Sequence, residues 1–426
     1  MRVLFTTVPG YGHLFPIVPL ARAVQDRGHE VLVATSGSFT AAVEEAGLPA
    51  AAAGIDWTEA RVEEAFPAAS NLSGPLRGTF IGRIFQYEHP RAFVGDALNL
   101  IRDWGADIVV NVPVEHGGQL AAELAGIPWA LANYMLLWLD FPGRVPEQRS
   151  EQSGLEDIRE GRFSVPSIRR ELGLPHLRAR DREPPLASRF LTLDQVPPSL
   201  QFWDARAIFR TPWPMRPIPY SPPSSDDEWE WLEALPSGPR VFVTLGTVFA
   251  QERAVFRAIL EGLADEQCTV LLHAEEDLGP LPDNVHARPF FPVDRVLPVT
   301  DLVVGHGGWG TTIAALAHGV PTLALPQASD QFRTAVKLQA AGAGRFLAEE
   351  VLPARIAMLV RVLLQDPVYR LNARRLQREI RSMPEPSECV PLLERVAATK
   401  RPVRTPDPFS SLALPSAVAD LMRRET

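Results

Sequence analysis

Short apolar runs and amphipathic stretches alternate along the chain, and their spacing defines the elements. Residues 3–7 form an apolar run, followed by a loop at 8–13 that carries proline and glycine. The next segment has Pro16 in its first turn and sets Ile17, Leu20, Ala21 and Val24 on one helical face. Arg22, Gln25 and Asp26 lie off that face, and Gly28 supplies a glycine stop. A second strand begins at residues 30–34. This strand–loop–helix–strand order predicts a parallel, doubly wound α/β unit. A second unit places strands at 108–112 and 129–132 around a helix at 118–124.

The pattern breaks at Pro212, Pro214, Pro217, Pro219, Pro222 and Pro223, a density that predicts an extended, semi-rigid linker. It then restarts. An apolar run at 240–245 ends in Gly246-Thr247 and precedes a helical segment at 252–263. A strand at 302–305, a loop at 306–308, a helix to His318 and a strand at 320–325 form the clearest unit. The expected organisation is a first domain at 1–211, a linker at 212–226, a second domain at 227–400 and a tail at 401–426. Residues 135–200 mix charge runs with aromatics and read as short helices and loops. Two Rossmann-like domains facing across a cleft is the architecture this implies.

Composition narrows the function classes. At 426 residues the chain suits two domains, and 46% hydrophobic with 22% charged residues is ordinary for a globular protein. A net charge of -9 without clustered cations argues against nucleic acid as a partner. Cys268 and Cys389 have no His or Cys companions at metal spacing and read as reduced thiols. The opening run is broken by Pro9 and Gly10, so it reads as a strand and not as a signal peptide. No stretch nears the ~20 apolar residues of a membrane span, and a cytoplasmic protein is expected.

The chemistry concentrates in residues 305–331, GHGGWGTTIAALAHGVPTLALPQASDQ. Gly307, Gly308 and Gly310 let backbone approach a ligand closely after a strand ending at His306. The helix that starts there carries free N–H groups and about half a unit of positive dipole charge, suited to a diphosphate. His306 and Thr311 offer further donors, and Asp330-Gln331 after the next strand offer acceptors and an amide to sugar hydroxyls. In the first half, His13 follows Gly10 and Gly12 at the end of the first strand, where a doubly wound sheet exposes side chains to its cleft. A neutral imidazole there is a competent general base.

The 305–331 segment closely resembles the donor-binding signature of the family-1 glycosyltransferases. These are inverting enzymes of the two-domain GT-B fold, and they include plant secondary-product and bacterial antibiotic transferases. The opening GYGHLFP, the TLGT at 244–247 and the overall length extend the resemblance over nearly the whole chain. It implies His306, Gly307 and the backbone from Gly308 to Thr311 on the phosphates, with Gly246 and Thr247 nearby. Asp330 and Gln331 are implied on the sugar. Phe290, beside Phe291 in the Phe-Phe-Pro stretch, takes the place of a base-stacking aromatic. Trp309 replaces a small residue common in relatives and is expected to reshape the sugar pocket. His13 is implied as the general base. Relatives commonly partner it with an acid from the loop after the strand at 108–112. Val112 stands at that place here, which leaves Glu115 as the best candidate and Asp140 as a weaker one.

The acceptor is expected in the first domain, against aromatic stretches that include Phe85, Tyr134 and Trp138. They imply a lipophilic aglycone, with TDP and UDP both open for the donor. No metal or cofactor is expected beyond the nucleotide sugar: no Asp-x-Asp run occurs, and Asp226-Asp227 reads as a solvated turn. The terminal helix of this fold commonly crosses back to the first domain, a role residues 416–424 could take, and a homodimer is left open. A nucleotide-sugar epimerase or a non-catalytic binding protein on the same scaffold are the alternative readings. An NAD-dependent oxidoreductase is disfavoured, because Phe15 stands at the third fingerprint glycine and no ribose-binding acid follows the second strand.

Overall fold

Apolar runs of four to six residues between glycine turns are too short for helices and bury both faces as parallel strands. In the computed structural model, residues 1–72, 74–136, 164–175, 188–201, 212–225, 227–232, 234–246, 253–274, 278–327, 330–348 and 350–403 are described. Among them the first half builds β1 (Arg2–Thr6), β2 (Glu30–Thr35), β3 (Ala50–Ala52), β4 (Ile108–Asn111), β5 (Trp129–Asn133), β6 (Leu191–Asp194) and β7 (Pro212–Pro214). The second half builds β8 (Arg240–Thr244), β9 (Thr269–His273), β10 (Val285–Arg288), β11 (Leu302–Gly305), β12 (Thr322–Ala324) and β13 (Gly344–Phe346).

Both sheets are parallel, with orders β3-β2-β1-β4-β5-β6-β7 and β10-β9-β8-β11-β12-β13. The two halves therefore repeat one topology. In each, the chain order reverses between two central neighbours, β1 with β4 and β8 with β11. The crevice beyond the carboxyl ends of such a pair is where doubly wound sheets bind ligands. β4, β5 and β11 are buried along their whole length, and each such Val or Leu side chain contributes about 1.5–3 kcal/mol. Gly28, at φ 81°, makes the left-handed stop after the helix Val18–Asp26.

Two expectations change. Pro212–Trp213–Pro214 is not part of a free linker but pairs with β6 as an edge strand, the place where a sheet tolerates proline. β6 itself falls in the stretch read as helices and loops. Its Asp194 is buried and accepts from Asn133 Nδ2 at 2.8 Å, so a polar residue masked an interior strand.

The return to the first domain also comes earlier than expected. The helix Pro386–Thr399 buries Cys389, Val390, Leu393 and Val396 in the first domain's core. Its Glu394 Oε1 accepts from Arg27 Nε at 2.8 Å and lies 2.9 Å from His29 Nε2. Residues 416–424, given that role above, lie outside the described residues.

If this helix is structural mortar for the first domain, Leu393→Ala should cost about 2–5 kcal/mol. Thermal unfolding of the intact chain would show it as a lowered Tm. Met358→Ala, at a side chain 52% exposed, should stay within about 0.5 kcal/mol. Equal melting of the two variants would contradict the crossing.

Candidate active site in the cleft

The loop after β1 turns into a short helix, Tyr11–Leu14, which presents His13 at the carboxyl end of the sheet. The imidazole is held at both nitrogens. Nδ1 is hydrogen-bonded to the Tyr134 hydroxyl just beyond β5, and Nε2 lies 3.5 Å from Glu59 Oε2. Glu59 sits in a single turn, Glu59–Arg61, whose backbone N–H donates to the Pro9 carbonyl at 2.8 Å. Phe85 lies 6.2 Å from the His13 ring and 5.6 Å from Trp57, between centroids, so an aromatic wall adjoins the base. Tyr134 is buried, and desolvation with the nearby Glu59 and Asp330 charges pushes its hydroxyl well above the usual range. It is therefore a neutral O–H at physiological pH.

Glu115 is engaged elsewhere. It is fully buried, and its two oxygens accept from the N–H groups of Gly117 (2.6 Å) and Gly118 (2.9 Å). These groups open the helix Gly117–Ala125, so the carboxyl fills that helix's own anion site. Burial pushes it up to about 7, against the lowering effect of these bonds. A β-carbon at Gly118 would come 2.3 Å from Thr6 Oγ1 and 2.8 Å from Glu115 Oε2, so this glycine makes room for both side chains. The acid beside His13 is Glu59 instead. No local motif announces Glu59; only the turn's bond to Pro9 brings it there. Asp140 and Trp138 lie outside the described residues.

In the second lobe, β11 delivers His306 and the helix Trp309–Ala317 follows. Gly308 is its N-cap and makes no side-chain cap bond, so the first-turn N–H groups keep no carboxylate of their own. A β-carbon at Gly310 would meet nothing within 4 Å, which leaves the first turn open. The His306 ring lies in a slot between Gly246 and Gly308. β-Carbons there would come 2.7 Å from its Cε1 and 2.2 Å from its Nε2, respectively. Gly246 also needs glycine for its φ of 73°, as does Gly307 for its φ of 81°. Burial lowers the His306 imidazole to about 4, so it acts as a neutral group.

The remaining donor-side candidates divide. Thr311 is half-buried in the first turn of the helix. Phe290 is 39% exposed, with His273 at 6.0 Å edge-on, and is available to a ligand. Phe291 is 2% exposed and packs on Phe242, Trp229 and Trp231; it is core. Trp309 likewise is buried in the hydrophobic core beneath the helix, which corrects its expected place in the sugar pocket. Gln331 is buried, and its Oε1 accepts the Gln327 N–H at 2.8 Å, bracing the loop before Asp330. Thr247 lies outside the described residues.

Asp330 stands at the N-cap of the helix Gln331–Ala340 without a side-chain cap bond. Desolvation raises its pKa; the charges of His13 and Glu59 act on it in opposite directions. A histidine of one lobe and a carboxyl of the other thus feel each other's charge. Among the described residues no group of three His, Cys, Asp or Glu side chains could hold a metal ion. Nor is any described helix long and apolar enough to cross a membrane.

Comparison with known proteins agrees with this layout. The N-terminal domain of the family described as erythromycin biosynthesis protein CIII-like matches residues 22–246, and its C-terminal domain matches 257–396. The L-demethylnoviosyl transferase of Streptomyces niveus is 34% identical over 94% of this chain and 99% of its own length. The Streptomyces sp. SF2575 glycosyltransferase SsfS6, solved with thymidine diphosphate, superposes with a TM-score of 0.72 at 26% identity. The match covers 93% of this chain and 99% of that one. The spinosyn rhamnosyltransferase SpnG, solved with spinosyn aglycone, gives 0.71 at 25% identity over 92% of this chain and all of the other (100%). The chain belongs to the CIII-like family of antibiotic-biosynthesis glycosyltransferases, which are family-1 enzymes of the GT-B fold.

Proposed function

We propose that this glycosyltransferase moves a deoxysugar from a TDP donor to a hydroxyl of an apolar natural-product aglycone, inverting the anomeric centre without a metal. The observation that carries the reading is a helix start whose N-cap Gly308 makes no side-chain cap bond, in the lobe whose Asp330 feels the charge of His13 from the other. The thymidine diphosphate bound by SsfS6 and the aglycone bound by SpnG support the donor and acceptor classes.

The reaction is a single displacement. The acceptor oxygen attacks the anomeric carbon as the bond from that carbon to the diphosphate oxygen breaks, and the acceptor's proton passes to His13. The diphosphate leaves toward the N–H groups at the start of Trp309–Ala317, where the dipole replaces a cation's charge. His306, held neutral, adds hydrogen bonding and not charge. Asp330 accepts from sugar hydroxyls, and Phe290 offers a face to the donor base. Phe85 and Tyr134 line the aglycone side.

His13→Ala should lower kcat by about 10²–10⁴-fold while TDP affinity, read by calorimetry, stays unchanged. Wild-type turnover, followed by mass spectrometry of the glycoside, should survive EDTA. Loss of activity that Mg²⁺ restores would overturn the metal-free reading. Donor conversion without any acceptor would instead indicate an epimerase.

Asp330→Ala should weaken the TDP-sugar or its transition state by about 1–3 kcal/mol and leave bare TDP alone. Gln331→Ala, which removes the brace at Gln327, should weaken both ligands. A variant at 330 that loses bare TDP as strongly as the sugar donor would put Asp330 on the phosphates.

A further inference from the structure

We infer that Glu59 is the positioning carboxylate of the His13 base, taking the part that relatives give to an acid after β4. This rests on the reading of His13 as the base and deepens it. Three independent features converge on Glu59. Its carboxylate lies 3.5 Å from Nε2 of His13. Its backbone donates to Pro9, so the turn Glu59–Arg61 is fastened to the same loop that carries the histidine. Gly10 then makes room for it: a β-carbon there would come 2.3 Å from Glu59 Oε2 and 3.2 Å from His13 Cδ2. Gly10 has φ -155°, an extended backbone open to any residue. Its missing side chain therefore serves space alone, and the space holds the carboxylate.

The rival acids are occupied or absent. Glu115 closes its own helix start, and Val112 is a buried apolar side chain. Groups that face His13 from other elements are Tyr134 beyond β5, Asp330 across the cleft and the buried, neutral His89. Asp330 is the one carboxyl among these three, and Glu59 lies in contact with the ring.

The contact sets the tautomer. An anionic carboxylate at Nε2 keeps the ring proton there, and Nδ1 keeps its lone pair beside the neutral Tyr134 hydroxyl. When the acceptor oxygen bonds to the anomeric carbon and the diphosphate leaves, the acceptor's proton passes to the Tyr134 oxygen as the Tyr134 hydroxyl proton moves to Nδ1. The resulting imidazolium faces Glu59, which stabilises it as it forms.

The test uses the full chain with Glu59→Gln, Gly10→Ala and the double variant. Glu59→Gln should lower kcat by about 10–100-fold, the size of a lost counter-charge beside the forming imidazolium, with donor KM unchanged. The acid limb of the kcat profile should move to lower pH, because the imidazolium loses its counter-charge. Gly10→Ala keeps every charge but displaces the carboxylate, so it should lower kcat in the same direction. Combined with Glu59→Gln it should add little further loss. Turnover of Glu59→Gln within twofold of wild type with an unmoved acid limb overturns the assignment, as do losses that multiply in the double variant. TDP calorimetry and melting confirm folding; should Glu59→Gln not fold, Gly10→Ala decides by itself. His13→Ala separates the two readings: near-wild-type turnover there removes the base itself, however Glu59 behaves.

Discussion

The chemistry depends on imidazole rings that approach backbone carrying no β-carbon. His306 fits between Gly246 and Gly308, and His13 with Glu59 fits against Gly10. In each case the glycine stands on a loop leaving a central strand, where the sheet's topology opens a crevice. A β-carbon at these positions would come within 2.7, 2.2 and 2.3 Å of the ring or its partner at Gly246, Gly308 and Gly10, so one of them would have to shift. The glycines are thus part of the site's geometry, and their effect differs by position. Gly246 and Gly307 also adopt left-handed backbone, whereas Gly10 supplies only volume.

The repeated topology makes an internal comparison possible. β4 and β11 occupy equivalent places, and each is followed by a loop and a helix. In the first lobe Glu115 fills the N-terminus of that helix with a buried carboxyl of its own. In the second lobe the N-cap is Gly308, with no side-chain acceptor. One dipole is satisfied from within and the other is left to a ligand. This asymmetry supports the proposed placement of the diphosphate in the second lobe, although the two folds are alike. It also leaves Glu115 engaged at its own helix start, so the carboxylate beside His13 comes from a different loop.

Much of this was legible in the sequence. Alternating apolar runs and glycine stops placed β1, β2, β4, β5, β8 and β11 within a residue or two, because parallel strands buried on both faces are nearly uninterrupted in hydrophobicity. The HGGWGT run pointed to the open helix start for the same local reason. What was hidden depends on tertiary contact. Glu59 reaches His13 only through the Pro9 carbonyl, and no spacing encodes that. Phe291 and Trp309 look like ligand aromatics in one dimension but pack beneath the site. β6 carries Asp194 and β7 carries two prolines, so both contradict strand propensity until their neighbours are known. The crossing helix reads as an ordinary amphipathic segment, since its apolar face says nothing about which core it enters.

That helix also marks where the chain returns to the first lobe. The chain passes from the first lobe to the second after β7 and returns before Pro386–Thr399. The two passages lie side by side and are tied by one residue. The Arg216 N–H donates to Pro384 O at 2.7 Å, its Nε donates to Met383 O at 3.2 Å, and its Nη1 pairs with Glu385 at 2.7 Å. The lobes are joined elsewhere as well: Ser199 donates to Glu379 through its N–H at 2.7 Å and its Oγ at 2.5 Å, and Lys337 Nζ donates to Gln201 O at 3.1 Å. The returning helix then packs on Val18–Asp26, the helix that continues the chain from His13. The lobes that carry His13 and Asp330 are thus joined through several contacts on different elements, and their relative placement does not depend on Arg216 alone.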